Sequence, residues 1–118
     1  MIRGLGNDIV EIARIRAGYS EHKQRFLDRL LTKEEQAYCL KHTDPVPCIA
    51  ARFAAKEAIA KALGVGFGKE LSWLDLEILH DERGKPGVRL SEKAARHFGS
   101  PNILLSLSHC EKYALAVA

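Results

Sequence analysis

The 118-residue chain predicts an α+β fold, on three observations. Apolar residues recur at helical spacing before its midpoint, a long alanine-rich helical stretch occupies the middle, and period-two alternation broken by turn residues follows. The order is one strand, several helices, then hairpin, helix and hairpin. With 47% hydrophobic and 28% charged residues, residues 1–118 are expected to bury one core as a single domain, the chain being too short for two.

Each element has a local reason. Ile2 to Ile12 (IRGLGNDIVEI) predicts a strand whose Gly4 and Gly6 permit close backbone approach, with Asp8 in its interior, where a carboxylate needs a purpose. Ser20 to Leu31 predicts a helix with Ser20 as N-cap and Phe26, Leu27, Leu30 and Leu31 at helical spacing. Thr32 to Glu35 forms a capping box and starts a further helix through Leu40, which Asp44-Pro45 stops. The long helix runs from about Pro47 to Leu63 and ends at Gly64. Trp73 to Leu79 and Gly87 to Leu90 are strands of a hairpin around the turn 81–86. Ser91 caps a short helix to His97, and Ile103 to Ser108 and Tyr113 to Ala118 are strands around the turn His109 to Lys112.

Composition excludes several classes of function. Arg3, Asp8 and Glu11 interrupt the first residues, leaving no apolar signal core. No stretch reaches the ~18 apolar residues that span a bilayer, so a cytoplasmic chain without a membrane partner is expected. Cys39, Cys48 and Cys110 form no C-x-x-C pair, which argues against a disulfide framework or a thiolate zinc site and reads as reduced bystanders. The net charge of +3 is uneven: the segment from Ile12 to Lys33, with Arg14, Arg16, Lys23, Arg25, Arg29 and Lys33 against Glu21 and Asp28, carries +4. It is either a solvated face or a docking surface for an acidic partner.

The chemistry concentrates in RFAAKEAIAKALGVG, Arg52 to Gly66. At 3.6 residues per turn Phe53, Glu57, Ala60, Lys61 and Gly64 share one stripe, so a carboxylate and an ammonium project from a surface otherwise trimmed to alanine. The plain alternative is an i,i+4 salt bridge between Glu57 and Lys61 on a solvated face. Asp8 and Glu57 are the candidate ligands of a hard cation. Mg²⁺ takes only one or two protein carboxylates and completes its shell with water and substrate phosphate, so such a site expects a phosphorylated ligand. Arg52, Lys56, Lys61 and the GVGFG loop, Gly64 to Gly68, form a phosphate-neutralising set. The five histidines show no metal-ligand spacing; His109 stands out at a hairpin tip after Ser106 and Ser108. No G-x-S-x-G elbow supports a serine nucleophile.

Taken together, GLGNDIVEIARI, RFAAKEAIAKALGVG roughly forty residues later, and LSLSHCEKYALAVA at the end closely resemble the small stand-alone group of the 4′-phosphopantetheinyl transferases, the holo-acyl-carrier-protein synthases, over nearly the whole chain. The resemblance implies that family's fold, a small mainly antiparallel sheet packed against a long helix, with helices in the N-terminal half. It implies transfer of the 4′-phosphopantetheine arm of coenzyme A to a serine of apo-acyl carrier protein with Mg²⁺, releasing adenosine 3′,5′-bisphosphate, for fatty acid biosynthesis. By the family's motif Asp8 and Glu57 carry over as Mg²⁺ ligands and Lys61 as a residue at the pyrophosphate. Arg52, Gly64, Pro86 and His109 match positions lining the coenzyme A pocket, and Arg14 the carrier-docking arginine, with Arg25 beside it in the basic segment. A homotrimer with active sites between subunits is implied as well. Asn7 departs from the usual threonine or isoleucine, and GVGFG lacks the threonine of the usual G-T-G.

Under that resemblance Lys61 stabilises or protonates the departing phosphate, and the acceptor of the serine proton stays open, with Glu57 acting through a metal-bound water the preferred one. A non-catalytic nucleotide or nucleic-acid binding module is the rival from another class. Only 7% of residues are aromatic and the pI is ≈ 8.8, short of the stacking ladder and basic footprint that such modules carry. A broad-range transferase is disfavoured by length, since those relatives resemble two fused copies of this unit.

Overall fold

The computed structural model describes residues 1–118. The chain runs β1 (Asn7–Glu11), α1 (Ile12–His22), α2 (Gln24–Leu30), α3 (Lys33–Leu40), α4 (Val46–Leu63), a 3-10 turn (Trp73–Asp75), β2 (Leu76–His80), β3 (Pro86–Leu90), α5 (Glu92–Phe98), β4 (Ser106–His109) and β5 (Tyr113–Val117). The fold is α+β. An antiparallel sheet of order β1-β5-β4 and the separate hairpin β2-β3 account for all the strands. Register places Asp8 opposite Ala116 and Val10 opposite Ala114.

Helix α4 lies against β1 and β5, and small residues bring it there. Ala54, Ala58, Ala114 and Ala116 are all fully buried. A Cβ on Gly4 would stand 2.0 Å from the Ala62 carbonyl oxygen, and one on Gly6 would stand 2.1 Å from that of Ala58. Those glycines let the first chain segment run across α4 at backbone contact, as the sequence predicted. Buried Ile49, Ile59, Leu27, Leu71 and Leu76 surround this seam, each contributing about 1.5–3 kcal/mol of transfer free energy. The helix ends as expected at Gly64, in the left-handed region at φ 77°.

Four elements differ from their sequence reading. The strand stops at Glu11, and Ile12 begins α1, in which Ile12 and Ile15 turn inward while Arg14 and Arg16 stay exposed. Ser20 is therefore an interior residue of α1 and not an N-cap. The break comes at Lys23, whose φ of 48° ends α1 and turns the chain back so that Phe26 of α2 packs on Gly18. The start of the first hairpin is a 3-10 turn, and residues 103–105 precede β4 without joining it. Thr32 and Glu35 do form the expected capping box.

Candidate active site

An open cleft of ≈ 400 Å³ lies where β1, α1 and α4 meet, lined by Asp8, Glu11, Arg14, Phe53, Glu57 and Tyr113 together with Ile9 and Val10. Strand alternation turns Asp8 and Val10 to the α4 side. On α4, Phe53, Glu57 and Lys61 are the residues between Ile49 and Lys61 that escape burial, so the polar stripe predicted from helical period is the helix's one open face. Lys61 does not pair with Glu57. Its Nζ donates to the Asp8 carboxylate at 3.1 Å and to the Asn7 carbonyl at 2.9 Å, tying the helix to β1. The i,i+4 salt bridge is thereby replaced by a tertiary one.

The Glu57 carboxyl is pushed above its ordinary value, chiefly by burial and then by the negative charge of Asp8, while Lys61 and Arg14 act in the opposite sense. Three carboxylates, Asp8, Glu11 and Glu57, thus line one cleft, opposed by Arg14 in its lining and by Lys61 on Asp8. No group of three or more His, Cys, Asp and Glu side chains is arranged to hold a metal; Asp8 and Glu57 are a pair.

Of the remaining predicted residues, Arg14 lines the cleft and the others are elsewhere. Lys56 is 0% exposed and spends its ammonium on Glu35 (2.7 Å), the Leu30 carbonyl (2.6 Å) and the Trp73 carbonyl (3.1 Å). It cannot neutralise a phosphate from there, and that reading is corrected. A lysine buried four residues from the buried Arg52 would be costly alone; here all three N–H donors have acceptors. Arg52 is 2% exposed and lies ~140° round α4 from Glu57, on the far side from the cleft. Its guanidinium covers the Tyr38 ring at 4.5 Å, donates to Cys48 Sγ at 3.1 Å and meets His80 Nδ1 at 3.2 Å. His80 faces Pro86 across the β2-β3 ladder, so Arg52 and Pro86 share a neighbourhood separate from Asp8. His109 closes β4 opposite Ala114, Gly64 is exposed at the end of α4, and Arg25 is exposed on α2. Arg14 lines the cleft itself, and Phe67 of the GVGFG loop stacks on Trp73 at 3.8 Å, which stacks in turn on Phe53 at 5.1 Å. That stack gives the departing loop sequence a fixed seat beside the cleft.

Residues 4–118 match the family profile of the 4′-phosphopantetheinyl transferase superfamily. The chain belongs to that superfamily. Within the superfamily it is similar to the holo-[acyl-carrier-protein] synthase of Protochlamydia amoebophila, 53% identical over 100% of this chain and 97% of that protein. The crystal structure of the Neisseria meningitidis enzyme of the same name superposes with a TM-score of 0.90 at 38% identity, covering 99% of this chain and 96% of that one. The Helicobacter pylori enzyme, solved in complex with coenzyme A, gives a TM-score of 0.88 at 41% identity over 96% of each chain. The chain is thus an enzyme, a phosphopantetheinyl transferase of the holo-[acyl-carrier-protein] synthase group, and the reading as a non-catalytic binding module falls away. No helix is long and apolar enough to cross a membrane.

Sequence reasoning passed over two polar residues of the cleft. Glu11 and Tyr113 are paired across β1 and β5 and stand at its edge. The signal for Glu11 was its place in NDIVE, three residues after Asp8; nothing local distinguished Tyr113.

Proposed function

We propose that this chain transfers the 4′-phosphopantetheine arm of coenzyme A to a serine hydroxyl of apo-acyl carrier protein, in a Mg²⁺-dependent reaction that releases adenosine 3′,5′-bisphosphate and serves fatty acid biosynthesis in the cytoplasm. The observation that carries this reading is the convergence of Asp8 and Glu57 on one cleft, with Lys61 bonded to Asp8, in a chain whose relatives are named for acting on that carrier. The coenzyme A complex of the Helicobacter pylori relative supports coenzyme A as the donor.

Asp8 and Glu57 are the residues that would hold Mg²⁺. The fit rests on their donor chemistry, two hard carboxylates lining one cleft, with Glu57 held above its ordinary value first by burial and then by the charge of Asp8. When bound, the cation would offset charge on the pyrophosphate. The chain's own residues do the rest. The serine oxygen bonds to the β-phosphorus as the bond from that phosphorus to the bridging oxygen breaks, and the electron pair leaves with adenosine 3′,5′-bisphosphate. Lys61, held by Asp8 and the Asn7 carbonyl, stabilises the charge on the departing phosphate. Glu57, whose carboxyl holds a proton more readily than usual, takes the proton of the serine.

Residues 1–118 act in this reading as one domain of a homotrimer with active sites at subunit interfaces. Gly64, Pro86 and His109 serve coenzyme A from the neighbouring subunit, which accounts for their distance from the cleft; Arg52, 2% exposed and engaged by Tyr38, Cys48 and His80, is left out of that set. Ile9, Tyr113, Leu115 and Val117, exposed large apolar residues on one face of the three-stranded sheet, support a covering partner. Arg14 and Arg25 dock the acidic carrier. The test is to incubate the protein with coenzyme A, Mg²⁺ and an apo-carrier protein and weigh the carrier. A mass gain of one phosphopantetheine is expected, and an unchanged carrier overturns the reading.

A further inference from the structure

Three aromatic rings lie in a row beside the cleft, each from a different stretch of chain. Phe53 stands on the open stripe of α4, one turn before Glu57, and forms part of the cleft wall. The Trp73 indole stacks on Phe53 at 5.1 Å and 24°, and the Phe67 ring stacks on the indole at 3.8 Å and 9°. All three are half-buried, packed on the core from its edge rather than enclosed in it.

Trp73 is the fixed member of the row. Its carbonyl accepts from Lys56 Nζ at 3.1 Å, and Asp75, two residues on, accepts from the Ser72 amide at 2.9 Å and from Ser91 Oγ at 2.7 Å. The buried ammonium that does not reach the cleft therefore holds the turn on which the indole is mounted. Phe67 is the member that needs holding. It belongs to GVGFG, in which Gly64, Gly66 and Gly68 are exposed and a Cβ on any of the three would meet nothing within 4 Å. The loop backbone is tied by the Val65 amide to the Ala60 carbonyl at 3.0 Å and by the Gly68 amide to the Leu71 carbonyl at 2.8 Å. Between those ties the Gly66 and Phe67 amides donate to no other group of the chain. A glycine-rich segment has much conformational freedom to lose, and Val65 and Phe67 are the side chains that attach this one to the core.

We infer, on the reading that coenzyme A is the donor, that Phe67 and Trp73 are positioning residues for it: their stack seats the glycine loop against the Phe53 wall, so that coenzyme A meets loop and wall as one surface. Free backbone N–H groups in a turn suit the oxygens of a phosphate. They serve a ligand only while the loop is seated, and the stack supplies the seat. When the competent state is a fraction of the population, the apparent dissociation constant rises by the inverse of that fraction. A loop that loses the Phe67 ring and is seated about one time in ten weakens coenzyme A about tenfold, which is ~1.4 kcal/mol, the scale of one aromatic pair. The bound complex keeps its rate, because Lys61 is tied to Asp8 and to the Asn7 carbonyl, not to the stack.

Full chains carrying Phe67→Ala, Phe67→Leu, Phe67→Tyr or Trp73→Phe are compared with the wild type by calorimetric titration of coenzyme A and by steady-state transfer kinetics. Trp73 is the only tryptophan, so its emission reports the stack without any ligand, and Phe67→Ala is expected to shift it to longer wavelength. The same variant is expected to raise Kd and KM for coenzyme A about tenfold, with kcat kept within about twofold. Phe67→Tyr and Trp73→Phe keep two facing rings and should stay near the wild type. Phe67→Leu keeps apolar bulk without a ring and should follow Phe67→Ala; it carries the test if circular dichroism shows the alanine variant unfolded. Wild-type affinity in Phe67→Ala or Phe67→Leu overturns the inference while leaving coenzyme A as the donor, as does a loss confined to kcat or an equal loss in Phe67→Tyr. A wild type that takes up no coenzyme A removes the donor reading itself, and the positioning role with it.

Discussion

Replacing Glu35 by Gln keeps the shape of the most crowded charge site in the molecule and removes its only buried anion. Glu35, 1% exposed, accepts from Lys56 Nζ at 2.7 Å, from the Ile78 amide at 3.0 Å and from the Thr32 amide at 2.9 Å. Without it Lys56 and Arg52 are buried cations with no carboxylate between them. Taking one partner from a buried ion pair costs ~3–5 kcal/mol, a large part of the ~5–15 kcal/mol that holds a domain together. At ~2.1 cal/mol/K per residue, 118 residues give an unfolding entropy of about 0.25 kcal/mol/K, so the melting temperature should fall by roughly 12–20 °C. Lys56 offers one escape. Burial already lowers its proton affinity, and losing Glu35 lowers it further. Between that lowered folded value and the ordinary 10.5 the unfolded chain binds more protons, so the variant's stability deficit shrinks as pH rises across the window. Lys56→Met should cost less than Glu35→Gln, because Glu35 keeps its two backbone donors and Arg52. Urea unfolding followed by circular dichroism at two pH values measures all of this. A Glu35→Gln cost below ~1 kcal/mol, or a deficit that grows with pH, refutes the account of a buried pair whose charges need each other.

Asp8→Asn and Glu57→Gln are each expected to abolish Mg²⁺-dependent transfer while the fold persists, by intact-mass assay and melting curves, since each removes one hard anionic donor. For Glu57 the folded chain binds the extra proton between the ordinary 4.5 and its own raised value, so the wild type loses stability as pH rises across that window; Glu57→Gln should melt higher than wild type above it. Arg25→Glu is expected to weaken carrier association, more so at low salt, with coenzyme A affinity unchanged by calorimetry; Arg14→Glu should impair both, because Arg14 lines the cleft and acts on Glu57. Gly6→Ala should destabilise by at least the ~1–3 kcal/mol typical of overpacking, since its Cβ meets a helix carbonyl at 2.1 Å; a neutral result in urea unfolding contradicts the close crossing of β1 on α4. Leu115→Lys should lower the mass seen by light scattering and remove activity together, leaving the circular dichroism of the folded chain in place.

What could be read from the sequence was whatever depends on local period. The stripe of Phe53, Glu57 and Lys61, the stop at Gly64, the Thr32–Glu35 capping box and the tight approach of Gly4 and Gly6 all follow from rules spanning a few residues, and the fold bears them out. Charged residues on α4 were misjudged where the deciding partner is distant in sequence. Lys56 is buried because Glu35 waits on α3 and two carbonyls from other segments complete its shell, which no helical wheel displays. Lys61 chose Asp8 over Glu57 for the same reason, its partner arriving on a strand far up the chain. Helix α1 was missed because Ile12 was read as the end of a strand and the helix was started only at Ser20, whereas α1 begins at Ile12 and Gly18 within it is where Phe26 packs.

The sheet face and the cleft are not independent. Ile9 and Tyr113 line the cleft and also stand, with Leu115 and Val117, on the exposed apolar face of the three-stranded sheet. A second chain seated on that face therefore borders the carboxylates without any further rearrangement, and the strand alternation that aims Asp8 at Lys61 is the same alternation that turns Ile9 outward. A one-residue slip of β1 would exchange the two, burying Ile9 and exposing Asp8. The register of β1 on β5, held by Gly6 bonding reciprocally with Ala118 at 2.9 and 2.8 Å, thus fixes the cleft carboxylate and the exposed apolar face at once.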